Sequence, residues 1–313
     1  MTARSKPMTK VFIDGSAGTT GLRIAERLSG RKDLELIRIP EELRKDASAR
    51  KEAINAADIA FFCLPDAAAV EAAALAGEGV TIIDTSTAHR VNPDWVYGFP
   101  ELPGQREKVA ASKRIANPGC HASGFVALAA PLVHAGLIAP ETALTCFSLT
   151  GYSGGGKQMI AQYEDPNRSP LLKAPRQYAL PQSHKHLKEM VKLCGLSTAP
   201  VFCPIVADFY SGMEVTVSLF AKDLKGTVED VKNAYRNLYT SGLVRFEENA
   251  DPDGMLSAMA LSGRDDMTVS VFGSEERITL VSRFDNLGKG ASGAAIQNMN
   301  IALGLPENTG LVV

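Results

Sequence analysis

"KVFIDGSAGTTGLRIAERL", Lys10 to Leu28, is the stretch on which the fold turns. Lys10–Asp14 is a short apolar run of β-formers. Gly15, Gly18 and Gly21 punctuate the next seven residues, and Leu22, Ile24, Ala25 and Leu28 recur at helical spacing. The pattern predicts a strand, a glycine-rich turn and a helix. Such a unit suits a pyrophosphate, because glycines let the backbone approach closely and the helix N-terminus presents free N–H groups. The spacing is G-x-x-G-x-x-G rather than G-x-G-x-x-G, so the strand–turn–helix context carries more weight than the motif. Gly15, Ser16, Ala17, Gly18, Thr19, Thr20 and Gly21 are therefore the expected phosphate cradle.

The alternation continues outward. Leu34–Ile39 and Asp58–Leu64 read as strands, the second almost wholly apolar, as a buried parallel strand is. A helix from about Asp66 to Ala76 leads to a fourth strand, Val80–Asp84. Strands alternating with helices imply a parallel sheet with right-handed crossovers. An NAD site usually ends its second strand with an acidic residue. Here Arg38 stands in that region, followed by Arg44 and Lys45. A cation suits a 2′-phosphate, so NADP is the expected cofactor, with Arg38 as its main partner. Leu64 and Pro65 at the end of the third strand, and Ser86 after the fourth, join the expected cofactor set.

Composition narrows the field. At 313 residues, 45% hydrophobic and 22% charged, the chain is long enough for two domains. A net charge of −2 offers no basic field for nucleic acid or a membrane surface. No apolar run reaches the roughly 18–20 residues that span a bilayer. The start, "MTARSKPMTK", lacks the apolar core of a secretory signal and reads as a disordered lead-in, with Met8 an alternative start. Five cysteines without a C-x-x-C suit a reducing cytosol, and a cytoplasmic location is expected.

One of those cysteines is set apart. In "NPGCHASGFVALAAPLVHAG" (Asn117–Gly136), Pro118-Gly119 should turn the chain after the strand "RIA". Phe125, Leu128, Ala129 and Leu132 then mark a helix beginning near Cys120. A thiol at a helix N-terminus is expected to have a lowered pKa, and the same free N–H groups can hold an oxyanion. A buried capping cysteine would fit the local pattern equally well. The second cluster, "YALPQSHKHLKEM", tips the balance with Tyr178, His184, His186 and Glu189. A thiolate needs an acid–base partner, and His186 pairs with Glu189 at i, i+3 if a helix starts here. Metal binding by His-x-His finds no third ligand cluster. His121 is expected to point elsewhere on a regular helix, and His134 to sit structurally at its C-terminus.

The motifs "GSAGTTG", "NPGC", "HKHLKE" and "NLGKGASGAAIQNMN" together resemble the N-acetyl-γ-glutamyl-phosphate reductase family in its shorter type-2 form, over nearly the whole chain. The resemblance implies an α/β fold. A Rossmann-type dinucleotide domain (1–118 plus a C-terminal helix, 291–313) would accompany an α+β catalytic and oligomerisation domain (119–290). The plan is that of semialdehyde dehydrogenases and glyceraldehyde-3-phosphate dehydrogenase. It implies Cys120 as nucleophile, with His186 preferred over His184 as acid–base; Leu187 and Lys188 depart from the Thr-Pro of the longer branch. Tyr178, Glu189, Ser153, Lys157 and Arg90 become the expected substrate contacts, Asn286 and Lys289 the groups near the nicotinamide. The implied reaction is NADPH-dependent reduction of N-acetyl-L-glutamyl 5-phosphate to the 5-semialdehyde with release of phosphate, in arginine biosynthesis. The β-rich segments between Ala143 and Phe284 suit a sheet whose open face pairs subunits, so a homodimer or homotetramer is expected. The rivals are an aspartate-semialdehyde dehydrogenase-like enzyme and a non-catalytic NADP-binding redox sensor.

Overall fold

A computed structural model describes residues 8–240, 242–250 and 253–313; the expectations for the lead-in at 1–7 lie outside them. The first sheet is parallel, with strands β1 (Thr9–Asp14), β2 (Leu34–Ile37), β3 (Ile59–Phe62), β4 (Thr81–Asp84), β5 (Val96–Tyr97) and β6 (Arg114–Ala116). Their spatial order is β2-β1-β3-β4-β6-β5. Helices α1 (Thr19–Ser29), α2 (Ala47–Ala56), α3 (Asp66–Leu75) and α4 (Gln105–Ala111) connect them. The second and third strands are shorter than expected. β2 stops at Ile37, so Arg38 lies in the loop beyond it.

The rest is a mixed sheet with its helices set to one side. In chain order come α5 (Cys120–His134), β7 (Thr145–Gly151), α6 (Gly156–Glu164), β8 (Arg176–Gln177), α7 (Leu187–Cys194), β9 (Val201–Ala207) and β10 (Met213–Phe220). They are followed by α8 (Val228–Leu238), β11 (Val244–Phe246), β12 (Met267–Gly273), β13 (Arg277–Phe284) and α9 (Gly293–Ala302). The sheet order is β11-β12-β13-β10-β7-β9-β8. Alternation drives the packing: in β10, Met213, Val215, Val217 and Leu219 are buried, while Ser218 and Phe220 are exposed. The buried side meets Phe125, Val126 and Leu132 of α5 and Val231 and Tyr235 of α8 in one core.

The chain then returns to the first sheet. A π-helical turn at Gly288–Ser292 runs straight into α9. Ala295, Ile296 and Met299 of α9 pack with Val11, Ile24, Leu28 and Ile83 of the first sheet and its helices. Both glycine turns expected to approach other backbone do so: a side chain on Gly15 (φ +83°) would strike the Cys63 carbonyl, and one on Gly21 would strike Gly15 itself.

Candidate active site

Two helix N-termini meet at a cleft of about 350 Å³. Helix α5 opens at Cys120 after Gly119, and α1 opens at Thr19 after Gly18. Neither has a side-chain cap on its N-cap residue, so the first-turn N–H groups, that of His121 apart, are left for a ligand. Gly119 is required here, because an added Cβ would collide with the Arg90 guanidinium and the His186 ring. On the other flank, a Cβ at Gly290 would lie 3.0 Å from the Cys120 Cβ, so the π-helical turn also closes on the cysteine.

The floor of the cleft is a buried carboxylate with its partners. Glu189 Oε1 accepts from Arg90 Nη1 (2.8 Å), and Oε2 accepts from Tyr97 O–H (2.9 Å) and the Gly119 N–H (3.0 Å). Arg90 also donates to the Thr85 carbonyl (2.8 Å). The expected substrate contact Glu189 is therefore corrected: at 1% exposure it lies beneath the cleft, holding the Pro-Gly turn and the guanidinium. Nor does it hydrogen-bond His186, whose Nε2 is 4.0 Å away.

Cys120 lies partly exposed in the cleft and accepts from the His121 N–H. Its thiol does not have the lowered pKa expected from sequence. Burial pushes it above the ordinary value, outweighing the His121 N–H and the Arg90 guanidinium, and the Glu189 carboxylate adds to the rise. The histidines beside it are neutral. Burial, then Arg90, holds His186 well below its ordinary value; burial and Lys185 bring His184 to about 4. His184 Nδ1 accepts from the His186 N–H (3.2 Å), which leaves its proton on Nε2.

The structure brings Cys120, His184, His186, Tyr178, Arg90, Ser153, Thr19, Thr20 and Asn286 into one cleft. Asn286 donates to Ser153 Oγ (3.0 Å) and accepts from the Gly212 N–H (3.0 Å). Other expectations fail on geometry. Lys157 is exposed and does not line the cleft. Ser86 gives its hydroxyl to Asp84 (2.6 Å), and its neighbour Thr85 faces the cleft instead. Lys289 is fully buried, bonded to Glu101 (2.6 Å) and Gln297 (2.5 Å). His121 is the reverse case: it lines the cleft, its ring 5.5 Å from that of His186.

Gly15, Ser16 and Ala17 line a second cleft of about 480 Å³, with Arg38, Arg44 and Leu64. The glycine-rich turn thus lies between the two clefts, where a dinucleotide would run from one to the other. Pro65 does not line the second cleft; it precedes α3 as its N-cap residue. The tight approach of Gly15 to Cys63 and the uncapped start of α1 fit a pyrophosphate.

Residues 7–112 match the NAD binding domain of semialdehyde dehydrogenases, and 120–286 match their dimerisation domain. N-acetyl-gamma-glutamyl-phosphate reductases from Brucella ovis and Brucella canis are each 47% identical, across 94% of this chain and 99% of theirs. The chain belongs to the N-acetyl-gamma-glutamyl-phosphate reductase family. Among solved structures, aspartate semialdehyde dehydrogenase II complexed with ASA from Vibrio cholerae superposes with a TM-score of 0.72 at 18% identity, covering 95% of this chain and 99% of that one. The Candida albicans aspartate semialdehyde dehydrogenase with NADP gives 0.64 at 17%, covering 94% and 98%. At those identities the likeness concerns the fold alone. For this reductase family member the cofactor is a nicotinamide dinucleotide, and no helix among the described residues is long and apolar enough to cross a membrane.

Proposed function

We propose that the protein reduces N-acetyl-L-glutamyl 5-phosphate to N-acetyl-L-glutamate 5-semialdehyde, releasing phosphate, through a thioester on Cys120. The observation that carries this is Cys120 at an uncapped helix N-terminus, walled by Arg90 and two neutral histidines. Cys120 Sγ bonds to the acyl carbon as its proton passes to His186, and phosphate departs with the C–O bond electrons. NADPH held along the glycine-rich turn from Gly15 to Gly21 would supply the hydride. His186 then returns its proton to the resulting oxyanion; as the C–S bond breaks its electrons stay on sulfur, and the hydroxyl proton passes back through His186 to that sulfur, leaving the aldehyde and the free thiol. His184, with its proton on Nε2, is a fixed donor rather than a proton carrier. The free N–H groups of α5 and the Arg90 guanidinium suit the oxyanion and the phosphoryl group.

Arg38 and Arg44 favour NADP over NAD. Among the described residues, the one carboxylate lining their cleft, Asp14, is taken by Arg50 at 2.8 Å. A homodimer or homotetramer is favoured by the face of the mixed sheet turned away from its helices. There Phe147, Val201 and Phe220 are 48%, 57% and 55% exposed, and the strand register puts them on one side. The free cysteines suit a cytoplasmic setting.

The reaction is tested in reverse. N-acetyl-glutamate semialdehyde, NADP and phosphate should yield reduced nicotinamide, with dependence on phosphate and a lower kcat/KM for aspartate semialdehyde. Cys120→Ser should lose at least about a thousandfold in kcat. Wild-type turnover in that variant rules out the thioester, and preference for aspartate semialdehyde rules out the substrate.

A further inference from the structure

His121 is the second residue of α5, 3% exposed, with both ring nitrogens engaged. Nδ1 lies 2.6 Å from Ser148 Oγ on β7, and Nε2 lies 2.7 Å from the Tyr178 hydroxyl. Burial, reinforced by His184, brings its pKa to about 3, so the ring carries one proton at working pH. Two arrangements share that proton. In the first, Ser148 O–H donates to Nδ1, Nε2–H donates to Tyr178 Oη, and the tyrosine's own proton is free to face the cleft that Tyr178 lines. In the second, Tyr178 donates to Nε2, and Nδ1–H donates to Ser148. Ser148 is wholly buried and, among the described residues, has no hydrogen-bond partner but His121. The second arrangement therefore strands a buried O–H, at a cost of about 1–3 kcal/mol. The first leaves no proton unpaired inside the protein.

We propose that His121, held in the Nε2-protonated form by Ser148, is a positioning residue that makes the Tyr178 hydroxyl a fixed hydrogen-bond donor into the cleft. Burial raises the Tyr178 pKa further, so the hydroxyl keeps its proton. The group it serves must be an acceptor: an acyl, carboxylate or phosphoryl oxygen of an anionic substrate. An amine or hydroxyl presenting its proton at that point would be refused. This deepens the reading of the cleft as an acyl-phosphate site and rests on it for the identity of the ligand, though not for the state of the ring.

Two measurements test the inference. In uniformly 15N-labelled full-length protein, long-range 15N–1H correlation distinguishes the two neutral forms of His121. The signal is assigned by its loss in His121→Asn or, should that variant not fold, through bonds to the His121 backbone. A proton on Nε2 is expected; a proton on Nδ1 overturns the proposal, and neither result depends on which substrate is turned over. The second measurement is kcat/KM in a double-mutant cycle. Ser148→Ala should lower kcat/KM about tenfold in the wild-type background and less than twofold in Tyr178→Phe. Equal losses in both backgrounds would show that Ser148 and His121 only fill space, and the proposal fails.

Discussion

Cys120 sits between opposing influences: burial and Glu189 against the helix N-terminus and Arg90. The resultant is upward, which sets a sign for pH dependence. Below its pKa the thiolate fraction grows about tenfold per pH unit. A raised pKa therefore predicts that alkylation of the ligand-free protein by iodoacetamide keeps accelerating from pH 7 through pH 9 without a plateau. Levelling off below pH 8 would show a depressed pKa instead. Arg90 is the largest charge favouring the thiolate, so Arg90→Met should slow alkylation at pH 8 by about tenfold. Sequence exposed Cys120 and the paired histidines because Pro-Gly and a two-residue spacing are local signals. It misplaced His121 for a geometric reason. Helical periodicity sorts residues around the sides of a helix, but this cleft meets α5 end-on, where consecutive first-turn residues can all face it. Glu189 and Lys289 were misjudged because a charged residue in a motif reads as ligand-facing, and only tertiary packing shows which charges are buried against each other.

At the level of elements, the glycine-rich turn and the cysteine turn use glycine for the same purpose, close passage of backbone past another group. Gly15 combines a left-handed conformation with contact against the Cys63 carbonyl, whereas Gly136 (φ +70°) has nothing nearby. Urea unfolding should separate the two terms. Gly136→Ala should cost about 1 kcal/mol for conformation alone, and Gly15→Ala about 2–3 kcal/mol with weakened binding of the nicotinamide dinucleotide. Equal costs would mean that the carbonyl yields freely. One buried face imposes a period of two on β10, whereas β12 is buried throughout Met267–Val271 and β13 throughout Leu280–Phe284, so alternation marks only the first of these strands. Helix α2 went unread, although Asp46 caps it by accepting from the Ala49 N–H (2.8 Å). Its alanines, Arg50 and Lys51 give a weak apolar stripe, because only Ala53 and Ile54 are buried.

Across the molecule, one buried ion pair joins the π-helical turn to the loop after β5. Lys289 and Glu101 lie within a polar group that includes Gln297 and Glu307, with the Lys289 ammonium 5.0 Å from the centre of the Phe99 ring. Lys289→Met leaves the Glu101 carboxylate buried without its cation and should cost about 3–5 kcal/mol. Adding Glu101→Gln should recover more than half of that loss, as read by thermal or urea unfolding. No recovery would mean that the lysine acts by packing alone.

The same region bears on biosynthesis. Helix α9 supplies Ala295, Ile296 and Met299 to the core that also contains strand β1, nearly three hundred residues earlier. While a ribosome still holds that helix in its exit tunnel, Ile24, Leu28 and Ile83 have no lid. The first sheet, made well before α9, is therefore among the last parts to finish folding, and nascent chains stalled short of residue 293 should engage chaperones through that uncovered apolar face.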